Sequence, residues 1–223
     1  MKDDFSSLKQ YIGNFSVVEK LSDNLFIPLE WKPLLELSGK GRVNLVIALW
    51  KSQFQQEFSV LLDVFSKHLI SIELIELNKI VNMLYVFKNP KGEQLHYIGL
   101  PPLLPYQKPD KFYGRDWPAK FLDFYTHIHN GWYEVESQAM GPMPIEEFFL
   151  LSEKEWGVLD EITIDFALDK VVAVFSNSAG GYLCWNLNAA VASGLVWWDD
   201  EAPDFVDFWD ILDEWCAMGI QEY

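Results

Sequence analysis

The spacing of hydrophobic and polar residues predicts several short helices and strands in the first half of the chain. Leu45–Trp50 is an unbroken apolar run and predicts a buried strand. The stretch Gln53–Leu69 predicts a helix, because its apolar residues recur at helical spacing. These residues are Phe54, Phe58, Leu61, Leu62, Phe65 and Leu69. Ile80–Phe87 and Gln94–Ile98 flank the turn Asn89–Gly92 and predict a β-hairpin. Together these elements predict a small α/β unit.

A proline-rich stretch then divides the chain. The segment from Gly99 to Pro109 holds four prolines in eleven residues, so it is predicted to be neither a helix nor a central strand. A linker or long loop at residues 99–110 follows from this composition. We therefore predict an N-terminal unit over residues 1–105 and an acidic domain over residues 106–223.

Helix and strand patterns continue after this break. Asp116 is predicted to be an N-cap with Pro118 in the first turn, and the helix is expected to end at Asn130–Gly131. Four strand-like runs follow, of which the first two are expected to form a hairpin. They are Ile162–Ala167, Val171–Ser176, Tyr182–Trp185 and Leu195–Trp198. The predicted fold class is α+β, with packed helices on a mixed sheet in the second half.

The end of the chain is predicted to be an amphipathic helix that begins at Ala202–Asp204. Large apolar residues share one face of this helix, namely Phe205, Phe208, Trp209, Leu212, Trp215 and Cys216. Aspartates recur every three residues on another face, at Asp204, Asp207, Asp210 and Asp213. A solvated surface is one interpretation of this aspartate stripe, and a recognition surface is the other.

Composition narrows the class of protein. Half of the 223 residues are hydrophobic and 16% are aromatic, which is typical of a folded globular chain. No apolar run is as long as a membrane span, and the first residues lack the apolar core of a secretory signal, so a cytoplasmic protein is expected. Cys184 and Cys216 lie among large apolar residues and are expected to be reduced and buried, with a disulfide as the alternative.

Charge is distributed unevenly between the two halves. Residues 1–105 hold 11 basic and 11 acidic side chains, whereas residues 106–223 hold 6 basic and 22 acidic ones, so the second half carries the whole net charge of −16. Nucleic acid and anionic membranes are disfavoured as partners, and a basic protein partner is favoured. The alternative is that the acidic surface serves only solubility.

The most acidic stretch is also rich in tryptophan. Val171–Tyr223 contains nine acidic residues, no basic residue and five of the ten tryptophans. Trp197 and Trp198 are adjacent on a predicted strand, so they point to opposite faces and one of them is expected to be exposed. We predict that the partner-binding residues are Trp197, Trp198, Asp199, Asp200, Glu201, Asp204, Asp207, Asp210 and Asp213.

Residue patterns for catalysis or metal binding are weak. His127 and His129 are two residues apart and would face away from each other on a helix, whereas metal sites on helices need spacings of three or four. Carboxylates at 160–165 and 199–201 are the alternative, as the acid pair of a hydrolase. Paired carboxylates are common in any acidic protein, so they are weak evidence for catalysis. We expect that the protein is not an enzyme and that it binds no cofactor and no metal.

Several motifs of the second half resemble the SUKH superfamily. Phe121–Gly131 matches the helix that leads into an Asn-Gly turn, and Ser178–Leu187 matches the small-residue turn followed by a strand. Gly141–Pro144 lies between them. The resemblance covers roughly residues 110–223. Asn186 departs from it, standing where many relatives carry an acidic residue, and the first hundred residues lie outside the usual short lead-in.

The resemblance implies a function in protein recognition. Bacterial members of the superfamily include many immunity proteins of polymorphic toxin systems, and fungal members regulate cell-wall synthesis and bind many partners. An immunity protein that occludes a basic toxin acting on nucleic acids or nucleotides is therefore expected. A regulatory scaffold with several host partners is the alternative, and a small-molecule hydrolase is a third hypothesis. The sequence leaves the oligomeric state open.

Overall fold

Residues 5–20, 25–104, 116–188 and 191–221 are described in the computed structural model of this chain. The helices in these ranges are α1 (Lys9–Ile12), α2 (Lys40–Phe54), α3 (Ser59–His68), α4 (Ala119–Asp123) and α5 (Phe208–Gln221). The strands are β1 (Phe15–Val17), β2 (Leu69–Leu77), β3 (Ile80–Lys88), β4 (Gln94–Gly99), β5 (Trp132–Glu134), β6 (Gly141–Pro142), β7 (Phe149–Leu150), β8 (Val171–Ser176), β9 (Tyr182–Asn186), β10 (Ser193–Trp197) and β11 (Asp204–Val206). No helix in the described ranges is long and apolar enough to cross a membrane.

The first sheet is antiparallel with the strand order β1-β2-β3-β4-β5. Its centre contains the hairpin β3–β4, which confirms the hairpin predicted from the sequence. Strand β5 pairs with β4, opposing Trp132 to Gly99. The first sheet thus takes its fifth strand from beyond residue 105. The division into residues 1–105 and 106–223 stays a prediction.

The second sheet has the order β11-β10-β9-β8-β6, and β7 also pairs with β8. The pairs β8–β9, β9–β10 and β10–β11 are all antiparallel, so the sheet is antiparallel rather than mixed. Three of the four predicted strands are present. The prediction of a strand at Ile162–Ala167 is wrong, because these residues form bends followed by a short 3-10 helix at Leu168–Lys170. The α+β class is confirmed.

A layer of helices lies between the two sheets. Helices α2 and α3 pack on the first sheet, α5 packs on β9 and β10, and α3 contacts α5. One continuous cluster of buried side chains includes Tyr85 of the first sheet, Trp50 of α2 and Trp185 of the second sheet. The central core therefore joins the two sheets through the helices, and burial of its apolar side chains stabilises the fold.

The prediction of a strand at Leu45–Trp50 is wrong, because these residues belong to α2. The buried residues of α2 are Val43, Val46, Trp50 and Phe54, which lie on one helical face. A run of six apolar residues fits a buried strand and a buried helix equally well, so the run alone did not distinguish them. The helix predicted over Gln53–Leu69 is divided, because α2 ends at Phe54 and α3 begins at Ser59.

Three tryptophans of the second half of the chain are buried in the interior. The exposed fractions of Trp132, Trp156 and Trp185 are 0%, 8% and 5%. The ring of Trp50 lies 5.2 to 5.7 Å from four other aromatic rings in edge-to-face geometry, which aromatic pairs prefer. The four are Phe58, Phe65, Phe124 and Trp132.

The described part of the proline-rich segment follows β4 of the first sheet. Residues 100–104 form neither helix nor strand, as predicted, and the rest of the predicted loop lies outside the described residues. The backbone N–H of Leu103 donates to Tyr125 O at 2.8 Å. Helix α4 has Pro118 as its N-cap, so the prediction of Asp116 in that position is wrong. A π-helical turn, Phe124–Ile128, extends α4 to the Asn-Gly turn.

Gly131 is required at this turn. Its φ is +93°, and a Cβ there would lie 2.6 Å from the backbone N of Pro144. Both the left-handed backbone and the close approach exclude larger residues. The helix-to-turn motif at residues 121–131 thus has a physical reason that is independent of any resemblance.

Candidate partner-binding site

Two acidic stretches, residues 157–166 and 199–206, lie side by side at the β11 end of the second sheet. Asp199 O accepts a hydrogen bond from Val158 N at 2.6 Å, and its Oδ1 accepts one from Gly157 N at 3.0 Å. The rings of Phe166 and Phe205 are in edge-to-face contact at 5.7 Å. We call the resulting surface the acidic face. Its exposed acidic residues are Asp160, Glu161, Asp165, Asp199, Asp200, Glu201 and Asp204.

Basic side chains are missing from both stretches. Residues 155–169 and 191–221 contain no lysine or arginine. Lys154 precedes the first stretch, and its Nζ lies 3.8 Å from the centre of the Phe149 ring and 5.0 Å from that of Tyr182. Among the described residues, no ion pair involves the acidic face. Its carboxylates therefore produce a field of one sign over this surface.

Phe205 supplies the apolar part of the acidic face. Its exposed fraction is 59%, and it lies opposite Leu195 in the β10–β11 pair. Phe205 was predicted to lie on the apolar face of a helix that starts at Ala202–Asp204, and this prediction is wrong because Asp204–Val206 is strand β11. Asp-Phe-Val after Pro203 does not alternate polar and apolar residues, so these three residues give no local signal for a strand.

The two tryptophans of the predicted site are covered. Trp197 has an exposed fraction of 0%, and its ring packs 5.6 Å from that of Trp156. Trp198 is half-buried, and its ring contacts that of Trp215 at 6.4 Å. The two side chains point to opposite faces of the sheet, because successive residues of a strand alternate between its faces. Other segments of the chain pack against both faces. The prediction of Trp197 as a contact residue is therefore wrong.

The predicted aspartates and glutamate divide into three groups. Four have exposed carboxylates that make no hydrogen bond with another described residue, and these are Asp200, Glu201, Asp204 and Asp210. Asp199 and Asp207 are exposed but accept hydrogen bonds from backbone N–H groups. Asp213 is buried, with an exposed fraction of 5%, so its prediction as a partner-binding residue is wrong.

Asp207 caps helix α5. Its Oδ1 accepts hydrogen bonds from the backbone N–H of Trp209 at 2.9 Å and of Asp210 at 3.2 Å. These N–H groups have no partner within the first helical turn, so the side chain replaces the missing acceptors. Asp207 therefore holds the start of α5 next to β11.

Asp213 binds the first turn of α3 from the neighbouring helix. Its carboxylate accepts hydrogen bonds from Val60 N at 2.8 Å and Leu61 N at 2.7 Å, and Ser59 Oγ lies 3.5 Å away. Burial raises the pKa of Asp213, and these hydrogen bonds partly offset that rise. Asp213 therefore caps α3 from outside that helix. The residue at the N-cap position of α3, Phe58, makes no capping hydrogen bond with its side chain.

The two histidines of the Thr126–His129 region differ in their surroundings. His129 is fully buried, with Nδ1 2.9 Å from Leu100 O and Nε2 2.6 Å from Tyr85 Oη. Trp50 Nε1 donates to Tyr85 Oη at 3.0 Å. Burial lowers the pKa of His129 to about 3, so the neutral ring donates from Nδ1 to Leu100 and accepts from Tyr85. His127 is exposed.

No group of three or more histidine, cysteine or acidic side chains that could hold a metal ion occurs within the described ranges. Cys184 and Cys216 are free and buried, which confirms the prediction of reduced thiols. Burial raises the pKa of both thiols well above the ordinary value. They are therefore unsuited to nucleophilic chemistry at neutral pH.

Two open grooves lie elsewhere on the surface. The first, of about 830 Å³, has lysines at Lys40, Lys51 and Lys67 along an apolar floor. The second, of about 670 Å³, is lined by the proline-rich segment 100–104, together with Phe26 and other residues. The carboxylates of the acidic face line neither groove. The paired carboxylates of the hydrolase hypothesis therefore do not coincide with either cavity.

Comparison of the chain with protein-family models, with curated proteins and with solved structures found no match. The resemblance to the SUKH superfamily therefore stays a prediction.

Proposed function

We propose that this chain is a cytoplasmic immunity protein that binds and occludes a basic toxin domain. The observation that carries the proposal is the acidic face, on which seven exposed acidic residues make no ion pair with a described residue and share the surface with the exposed ring of Phe205. The SUKH-like motifs around Gly131 and in the turn before β9 support the immunity role. In this proposal the protein catalyses no reaction and needs no cofactor.

Binding would proceed in two physical stages. The field of the acidic face attracts a positively charged surface and raises the association rate before any contact forms. Phe205 then packs against an apolar group of the toxin, because a large aromatic side chain in a desolvated centre contributes most of the binding energy in many interfaces. Toxins that act on nucleic acids or nucleotides present positive clefts, which this surface would cover.

Three aspartates of the predicted site hold the acidic face in place. Asp199 joins the two acidic stretches, Asp207 caps α5 and Asp213 fixes α5 to α3. These three aspartates lie within the predicted site but accept hydrogen bonds from this chain's own backbone. The residues that remain free for a partner are Asp200, Glu201, Asp204, Asp210 and Phe205, with Asp160, Glu161 and Asp165 beside them.

A regulatory scaffold with several partners is the alternative. The lysine-lined groove and the apolar groove differ in chemistry from the acidic face, and such distinct surfaces suit distinct partners. The number of partners separates the two functions, since an immunity protein binds one cognate toxin in a fixed ratio.

The proposal is tested by co-expression with the toxin domains that the neighbouring genes encode. We expect the protein to restore growth and to form a 1:1 complex in gel filtration. The variant Glu201→Lys/Asp204→Lys should lose protection, whereas Glu30→Lys/Glu36→Lys, with the same charge change at exposed positions elsewhere, should retain it. Equal protection by both variants would remove the acidic face from the mechanism.

A further inference from the structure

Strand β11 forms an open edge of the second sheet. It pairs with β10 on one side, and no strand of the described residues pairs with its other side. Asp204 and Phe205 are exposed and Val206 is half-buried. An edge strand offers backbone N–H and C=O groups to any extended chain that approaches, so it is a template for strand addition.

The side chains of β11 define what an added strand would carry. Phe205 lies opposite Leu195 and contacts Phe166, so it extends the apolar face that covers Trp197. Asp204 and Val206 lie on the other face, because successive side chains of a strand alternate. An added strand would therefore place an apolar side chain beside Phe205 and a basic one beside Asp204.

The surroundings of β11 favour a basic occupant. The loop before it holds Asp199, Asp200 and Glu201, and the neighbouring stretch holds Asp160, Glu161 and Asp165. An acidic segment, including the β11 edge of a second copy of this chain, would be repelled by these charges. Lysines and arginines on either side of the apolar residue would be attracted.

We propose that β11 binds an extended basic segment of the partner by strand addition. The inference rests on the proposed function and deepens it, since it states how the acidic face holds a basic protein. Backbone hydrogen bonds to β11 align the segment, Phe205 contacts its apolar residue, and the acidic loops neutralise its basic residues. The register is set by the alternation of Asp204, Phe205 and Val206.

The test uses a blocked nine-residue peptide of alternating lysine and valine, with a matched peptide N-methylated at its three central residues. Both carry the same charges, but the second lacks the backbone donors that strand pairing needs. We expect the unmodified peptide to bind at least tenfold more tightly in fluorescence anisotropy and to slow hydrogen exchange at those N–H groups of residues 204–206 that point away from β10. The Phe205→Ala variant should bind it more weakly.

Equal affinity for the two peptides, the absence of binding by either, or protection confined to residues outside β11 would overturn strand addition. The peptides contain no toxin, so the result is independent of the growth assay. If the protein protects cells against the toxin but the peptide does not pair with β11, the proposed function is supported and strand addition is wrong. If the peptide pairs with β11 but the protein does not protect cells against the toxin, the binding site at β11 is supported and the immunity function is wrong.

Discussion

The backbone N–H of Leu61 donates a hydrogen bond of 2.7 Å to Asp213 Oδ1, across 152 positions of the chain. Leu61 lies in the first turn of α3, which packs against the first sheet, and Asp213 lies on α5, which packs against the second. The bond therefore joins the two sheet-bearing halves through their helices. It also explains why one aspartate of the acidic stripe is buried.

Replacing Asp213 with alanine should destabilise the protein. The substitution leaves the N–H groups of Val60 and Leu61 without acceptors, and loss of such a cap costs about 2 kcal/mol. Urea unfolding of Asp213→Ala measures this loss. The matched control is Asp210→Ala, one turn earlier and exposed, for which a change within about 0.5 kcal/mol is expected. Equal stability of the two variants would contradict the capping role.

His129 should make stability depend on pH in the weakly acidic range. Its pKa is about 3 in the folded protein and 6.5 ordinarily, so the folded state disfavours protonation. The neutral His129 ring contributes to the free energy of unfolding in full above pH 6.5. This contribution is lost as the pH falls from 6.5 toward 3. Between pH 7 and pH 5 the wild type should lose about 2 kcal/mol more than His129→Gln. Parallel pH dependences in urea unfolding would show that His129 does not titrate this way.

Glu134 should make the protein less stable as the pH rises, which is opposite to the effect of His129. It is 3% exposed, its Oε2 makes no hydrogen bond with the described residues, and burial raises its pKa above the ordinary 4.5. The folded state therefore favours the protonated form, and stability falls as the pH rises from 4.5 through the raised pKa. Glu134→Gln should remove this fall, so its advantage over the wild type should grow between pH 4 and pH 7. A constant difference between the two proteins would argue against a buried titrating carboxyl.

Phe205 should matter for binding and not for folding. Truncation of an exposed side chain changes stability by less than about 0.5 kcal/mol, whereas loss of an interface anchor weakens binding about tenfold. Isothermal titration of Phe205→Ala against the toxin domain measures the second effect, and urea unfolding measures the first. Leu29→Ala, which removes an apolar side chain that is 71% exposed, is the control and should bind normally. Normal binding by Phe205→Ala would show that Phe205 does not anchor the interface.

Local sequence patterns predicted the elements that local interactions determine. The hairpin β3–β4 follows from two strand-like runs and the turn between them. The burial of Trp132, Trp156 and Trp185 follows from the size of the side chain alone. The turn at Gly131 required a residue that tolerates positive φ.

Pairing with other elements accounts for the errors at the end of the chain. Asp204–Val206 forms a strand because β10 lies beside it, and Asp213 is buried because α3 presents two free N–H groups to it. Helix α3 lies about 150 positions earlier in the chain, so the residues around Asp213 do not show this partner. Regular aspartate spacing consequently predicted one exposed stripe, whereas the structure assigns capping to Asp207 and Asp213 and exposure to Asp204 and Asp210.

The most direct test of the acidic face is the rate of association with the toxin domain at increasing salt concentration. Stopped-flow fluorescence would compare the wild type, Glu201→Lys/Asp204→Lys and the control Glu30→Lys/Glu36→Lys. We expect the wild type and the control to associate quickly at low salt and to slow steeply as salt screens the charges. The acidic-face variant should associate at least about tenfold more slowly, with a weak salt dependence. Identical rates and salt dependences for all three proteins would contradict recognition through the acidic face.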